Sequence, residues 1–250
     1  MTAKFVGYFR LVEACERPGC PVCMCLEDDS RRALGALLTG HVTDVATRRR
    51  LRESWGFCNW HTWALVDTGN AATGAAILYE DLVRVCQSRL EGLRGRRSRA
   101  LASPLRWLRG LMTGARRTVP RIVERHQRRP RCLVCSQLAV AETGYVDAIV
   151  ASSADPELGR AYQRSTGLCV PHLLFALERS GDADGVERIL ESTLAKWDTL
   201  RADLDRFVAK HEYRNVTPFD ETDASSYVRA SEVLAGRRQV FGNDMPRSTQ

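Results

Sequence analysis

The sequence predicts an all-α protein built by using one helical unit twice. Three observations carry this expectation. Apolar residues recur at helical spacing, no stretch alternates with period two between turn signals, and a set of landmark residues repeats after 111 or 112 positions. Cys20-Pro-Val-Cys23 is followed by Gly56-Phe-Cys58-Asn-Trp-His61, with 34 residues between Cys23 and Cys58. Cys132-Leu-Val-Cys135 is followed by Gly167-Leu-Cys169-Val-Pro-His172, with 33 residues between Cys135 and Cys169. Asp44 and Asp155, Arg49 and Arg160, and Ser54 and Ser165 keep the same register.

Each element follows from local signals. Leu26, Ala33, Leu34, Leu37 and Leu38 give Leu26–Leu38 an apolar helical face. Asp44 suits the N-cap of a short helix through Trp55, and Gly56 ends it. Cys58–Val66 starts a further helix. Ala75–Leu93 is a longer one, with Leu78, Leu82, Cys86 and Leu93 along one face. The second unit repeats the order. Leu138–Val150 is followed by Pro156–Ser165, with proline in the first turn, then His172–Arg179. Val186–His211 carries Ile189, Leu190, Leu194, Trp197, Leu200, Leu204, Phe207 and Val208. The resulting organisation is a first helical repeat (1–93), a connector (94–131), a second repeat (132–214) and a C-terminal helix and tail (215–250).

The 250 residues are 44% hydrophobic, enough to bury a core, which argues against general disorder. The nine cysteines are too sparse for a disulfide-stapled secreted scaffold. Residues Met1–Arg10 lack the apolar stretch of a signal peptide. The longest uncharged stretches, Ser54–Val66 and Ser165–Leu177, fall short of the roughly 20 residues a membrane helix needs. A cytoplasmic protein without a transmembrane segment is the expectation. In a reducing compartment, clustered cysteines bind metal or do redox work more often than they form disulfides.

Cys20, Cys23, Cys58 and His61, and again Cys132, Cys135, Cys169 and His172, are two tetrahedral ligand sets of type Cys3His. Soft thiolates with one imidazole suit zinc, two ions per chain, with an iron–sulfur cluster as the alternative. Four protein ligands leave no open position, which marks a structural site. Closing a loop of about 35 residues costs roughly 1.3 kcal/mol less than closing one of about 150, so closure within each repeat is expected over exchange between repeats. Cys86 reads as a core thiol. Cys15 and Cys25 read as packed residues, with cluster ligands or redox thiols as alternatives. His41, His126 and His211 receive no role.

The charge is concentrated. Arg94–Arg131 holds thirteen arginines and one acid, a local +12 that leaves −5 for the rest of a chain whose net charge is +7. Leu105, Leu108, Leu111, Met112, Ala115, Val119 and Ile122 give it an apolar helical stripe. It could be a solvated linker answering the acidic repeats, or it could contact nucleic acid or an anionic membrane surface.

The two Cys-x-x-Cys and Gly-Phe/Leu-Cys-x-x-His motifs resemble those of an uncharacterised bacterial family in which this pair of motifs usually occurs twice. Ser225–Ala230 with Leu234-Ala235-Gly236 looks like that family's closing helix. The resemblance implies a helical, zinc-binding fold and transfers no activity. Neither paired carboxylates, a phosphate-binding glycine loop nor a nucleophile elbow can be identified. The expectation is a non-enzymatic, metal-stabilised binding or scaffold protein. The alternatives are an iron–sulfur or metal-responsive regulator and, more distantly, an enzyme working in the cleft between repeats.

Overall fold

The computed structural model describes residues 7–69, 71–101, 118–181, 183–212, 218, 220–238 and 240–241. Every regular element among them is helical. In chain order the α-helices are α1 (Tyr8–Ala14), α2 (Pro21–Ala36), α3 (Val45–Glu53), α4 (Asn59–Val66), α5 (Ala72–Leu101) and α6 (Thr118–Gln127). They continue with α7 (Leu133–Val150), α8 (Pro156–Arg164), α9 (Val170–Arg179), α10 (Ala183–Lys210), α11 (Glu221–Ala224) and α12 (Ser226–Ala235). The helical stripe expected over residues 105–117 of the connector lies outside the described residues, whereas its two ends continue α5 and form α6.

Two knuckle helices start earlier than their apolar pattern suggests. Each Cys-x-x-Cys is the first turn of a helix, not a loop before one. The Cys20 carbonyl accepts from the Met24 amide at 3.1 Å and the Cys132 carbonyl from Ser136 at 3.0 Å, the first i to i+4 bonds of α2 and α7. Pro21 takes the first position of α2, where its missing N–H costs nothing.

The cap read at Asp44 is in place, and its repeat counterpart Asp155 caps as well. The Asp44 side chain accepts from the Thr47 amide at 2.7 Å, and Asp155 from the Glu157 and Leu158 amides, each at 3.0 Å. α3 ends in a Schellman turn, with the Gly56 amide bonded to the Leu51 carbonyl at 2.7 Å. Trp55 takes the left-handed position itself (φ 60°), with Arg89 stacked 4.4 Å over its ring.

The chain forms two compact units, and neither is a sequence repeat. The first comprises Met1–Ser30 and Gln137–Phe241, and the second Arg31–Ser136. The chain passes from one to the other inside α2 and inside α7. In the first unit Leu11, Leu26, Leu138, Tyr145, Val146, Ile149, Leu158 and Ala176 are buried. Tyr145 donates to Asp29 at 2.8 Å, and Tyr8 donates to Asp155 at 2.7 Å, tying α1 to the start of α8. In the second unit Leu34, Leu51, Leu65, Leu78 and Leu82 are buried, and Arg52 fastens α3 to α5 by two bonds to Asp81 (2.6 and 2.7 Å). Cys86, expected in the core, is only half-buried.

By length and composition α7 could cross a membrane, the one described helix that could, yet 44% of it is buried inside the fold. It also carries Glu142, bonded to His172, and Asp147, paired with Arg179. Its apolarity is that of a core helix.

Candidate metal centres

The eight residues singled out by their spacing gather into two buried groups of four. One holds Cys20, Cys23, Cys169 and His172, the other Cys58, His61, Cys132 and Cys135. Each compact unit therefore contains one Cys3His group, but each group takes its Cys-x-x-Cys from one repeat and its Cys-x-x-His from the other. Closure within each repeat, expected from loop entropy, is overturned. The entropy difference grows only with the logarithm of loop length. Packing of the helices that carry the motifs outweighs it. In the first group a direct clasp is visible. Thr166, just before the Gly167 turn, donates to the Gly19 carbonyl at 2.5 Å and accepts from the Gly19 amide at 3.0 Å, joining the two loops that deliver Cys169 and Cys20.

All four motifs use one local device. Cys58 and Cys169 are the N-caps of α4 and α9, and Cys20 and Cys132 immediately precede α2 and α7. The second ligand of each pair stands three residues on, in the first turn, so both side chains face the same end of the helix. Each group thus lies between two helix N-termini, whose unpaired amides and dipoles stabilise thiolates. The turns before Cys58 and Cys169 need left-handed backbone, with φ +97° at Gly56 and +84° at Gly167.

In the first group His172 Nδ1 lies 3.4 Å from Cys20 Sγ, 3.4 Å from Cys23 Sγ and 3.2 Å from Cys169 Sγ. Cys23 and Cys169 sulfurs are 3.7 Å apart. In the second, His61 Nδ1 lies 3.3 Å from Cys58, 3.6 Å from Cys132 and 3.3 Å from Cys135, with Cys58 and Cys135 sulfurs 3.7 Å apart. A tetrahedron drawn with zinc–sulfur and zinc–nitrogen bond lengths has S–S edges of about 3.8 Å and S–N edges of about 3.5 Å. In each group the three sulfur–nitrogen edges and the Cys23–Cys169 or Cys58–Cys135 sulfur–sulfur edge match those lengths.

The crowded sulfurs of each group share protons, so that hydrogen bonds with neighbouring thiols raise Cys23, Cys135 and Cys169 while they lower one thiol in each group. Burial would raise Cys20, but hydrogen bonds with Cys169 and Cys23 and the nearby His172 hold it well below the ordinary thiol range. Cys58 is likewise lowered by Cys132 and Cys135. Burial would lower His61, yet the sulfurs of Cys132 and Cys58 hold it up at about 9, and His172 is raised well above its usual value. A bound dication would displace the protons that these thiols and imidazoles share. Cys15 and Cys25, both buried, are each pushed up to about 12 by burial, so they are packed protonated thiols.

Sequence reasoning missed Glu142. Its carboxylate is buried and lies 3.1 Å from His172 Nε2, the nitrogen opposite the thiols. The C-terminal segment also reaches this group. The Arg237 amide approaches Cys23 Sγ at 3.5 Å, and Phe241 packs on the His172 ring with centroids 5.1 Å apart. A cavity of about 240 Å³ beside the group is lined by Cys20, Cys169, Trp197, Leu200 and Val233, among others. The Lys196 ammonium and Arg229 guanidinium at its edge are already engaged, by Gln163 and Ser192 and by Asp203 and Thr222.

Fold and sites define an all-α protein with two buried Cys3His groups, each able to hold a metal ion. The chain belongs to a family of unknown function (DUF6062), whose model matches residues 9–239. No curated protein and no solved structure matches it.

Proposed function

We propose that the protein is a non-enzymatic, zinc-stabilised helical binding or scaffold protein carrying two structural ions. The observation that supports this most is the ligand geometry, in which each imidazole nitrogen lies 3.2–3.6 Å from three sulfurs and two of those sulfurs are 3.7 Å apart, the spacing of a mononuclear tetrahedral site. Zinc would supply charge neutralisation and a crosslink at each site. Cys20, Cys23, Cys169 and His172 would hold one ion, and Cys58, His61, Cys132 and Cys135 the other. Four protein ligands fill a tetrahedron and leave no position for a substrate, which favours a structural role over a hydrolytic one. The same spacing disfavours the iron–sulfur alternative, because a cluster places its own irons and sulfides between the ligands and holds them further apart.

The Arg94–Arg131 segment is the natural contact for an anionic partner, since it carries the chain's basic charge. Cysteine usage suits a reducing, cytoplasmic setting. Metal content and the visible spectrum of anaerobically purified protein test the reading together. The expected result is about two zinc ions per chain and no colour. Brown protein containing iron and sulfide contradicts it. For the connector, a filter-binding titration with nucleic acid at two salt concentrations, alongside sedimentation with anionic vesicles, should show salt-sensitive binding. Salt-independent or absent binding in both removes that contact.

A further inference from the structure

The two groups share a ligand set and a helix-terminus geometry, but what stands behind each histidine differs. A histidine that ligates through Nδ1 must carry its proton on Nε2, so metal binding turns Nε2 into an obligatory donor and makes its N–H more acidic. In the first group that donor meets the Glu142 carboxylate at 3.1 Å, in a site from which water is excluded. In the second group His61 Nε2 is equally buried and has no hydrogen-bond partner among the described residues.

The duplication makes this difference legible. Glu142 stands seven residues after Cys135, and the position seven residues after Cys23 is Ser30, which has no carboxylate to offer. The first group has two further supports, the Arg237 amide on Cys23 Sγ and the Phe241 ring on His172. Glu142 also gives that group a second reason to keep a cation. A carboxylate held against Nε2 fixes the ring's orientation and strengthens the Nδ1 donor toward the ion.

Resting on the metal-binding reading above, we infer that the two ions are not equivalent: Cys20, Cys23, Cys169 and His172, backed by Glu142, hold the retained ion, whereas Cys58, His61, Cys132 and Cys135 hold the exchangeable one. Glu142 is the positioning residue that sets the difference. The consequence is a division of labour along the chain. The ligands of the exchangeable ion flank residues 62–131, so its departure unties the chain on either side of the arginine-rich connector, while the first unit stays clamped.

The test uses the full chain loaded with two zinc ions and challenged with a chromophoric chelator. Release in two phases of one ion each is expected, separated by roughly 10- to 100-fold in rate, the usual weight of an outer hydrogen-bond partner of a metal-bound histidine. Glu142→Gln should accelerate the slow phase by a comparable factor and leave the fast phase unchanged. In the cadmium-113 spectrum of the cadmium-loaded protein, E142Q should shift one of two resonances, the one that survives longer under chelation. Hydrogen exchange on the unmutated chain gives an independent readout, in which Asn59–Val66 should lose protection before Val170–Arg179 as chelator is added. Release of both ions in a single phase, acceleration of both phases by E142Q, or earlier loss of protection in Val170–Arg179 overturns the inference. A chain that binds no metal overturns the metal-binding reading instead, so the two failures are distinguishable.

Discussion

The Cys20/Cys23/Cys169/His172 group and the Cys58/His61/Cys132/Cys135 group are the same device built twice. Each sits between two helix N-termini, each is buried, and each brings its four ligand atoms within 4.8 Å of one another. The difference lies around them. The first is braced by Glu142, by the Thr166–Gly19 clasp and by the chain's last described residues, Arg237 and Phe241. No such acceptor backs His61 among the described residues. A duplicated ligand set therefore fixes what can bind, while the unduplicated residues outside it decide how firmly.

The largest expected effect comes from removing both ions with a strong chelator. Structural zinc contributes on the order of 10 kcal/mol to the folding of small domains, so the melting temperature should fall by about 10 °C or more. An unchanged melting curve after complete demetallation would break the comparison at its root, because neither group would then be structural.

Gly236 sharpens it from one side. Its φ is +81°, and an added Cβ would lie 2.2 Å from the Phe241 ring. Gly236→Ala should cost at least about 1–2 kcal/mol of stability and dislodge the ring from His172, accelerating metal loss from the first group only. Differential scanning calorimetry and chelator kinetics check the two halves of that statement.

Gly56→Ala and Gly167→Ala treat the groups alike. Both positions have left-handed backbone just before a ligand cysteine, and each substitution should cost roughly 1–2 kcal/mol in denaturant melts. The added Cβ meets Leu82 at 3.4 Å at Gly56 and the Lys196 side chain at 2.9 Å at Gly167. The Lys196 stem can move, so similar costs are expected.

The smallest effect is electrostatic and belongs to the first unit. Hydrogen bonds from Lys210 and Arg206 hold the Asp223 carboxyl below the usual carboxylate range, pinning α11 to α10. A carboxyl depressed in the folded state contributes its stability above the ordinary pKa near 4 and loses it as the pH falls through the depressed value. Asp223→Asn should therefore lower the melting temperature at pH 7, and the gap to the unmodified chain should narrow below about pH 4. A gap that is constant with pH would remove the electrostatic explanation.

Most of the helices and all eight clustered residues were legible in the sequence, because periodicity, caps and ligand spacing are local signals. Asp44 and Gly56 mark their helix ends as read. The start of α2 at Pro21 was missed because its first turn is made of cysteines, which look like a loop knuckle until the N-cap and third helical position are recognised as neighbours. The exchange of partners between repeats was not legible. It turns on packing between segments about 150 residues apart, such as Thr166 against Gly19, and spacing within one chain is blind to such contacts. Glu142 was invisible for a similar reason. Its position seven residues beyond Cys135 on α7 acquires meaning only when α9 brings His172 to it.

The pairing of the motifs across repeats is the central claim, and metal stoichiometry of two double variants tests it most directly. In Cys20→Ser/Cys169→Ser both substitutions fall in one group, so one zinc ion per chain should remain, held by Cys58, His61, Cys132 and Cys135. In Cys20→Ser/Cys58→Ser each group loses a ligand, and both ions should be lost or weakened. Closure within each repeat predicts the reverse, with one ion kept by Cys20→Ser/Cys58→Ser and none held firmly by Cys20→Ser/Cys169→Ser, and that outcome would contradict the account.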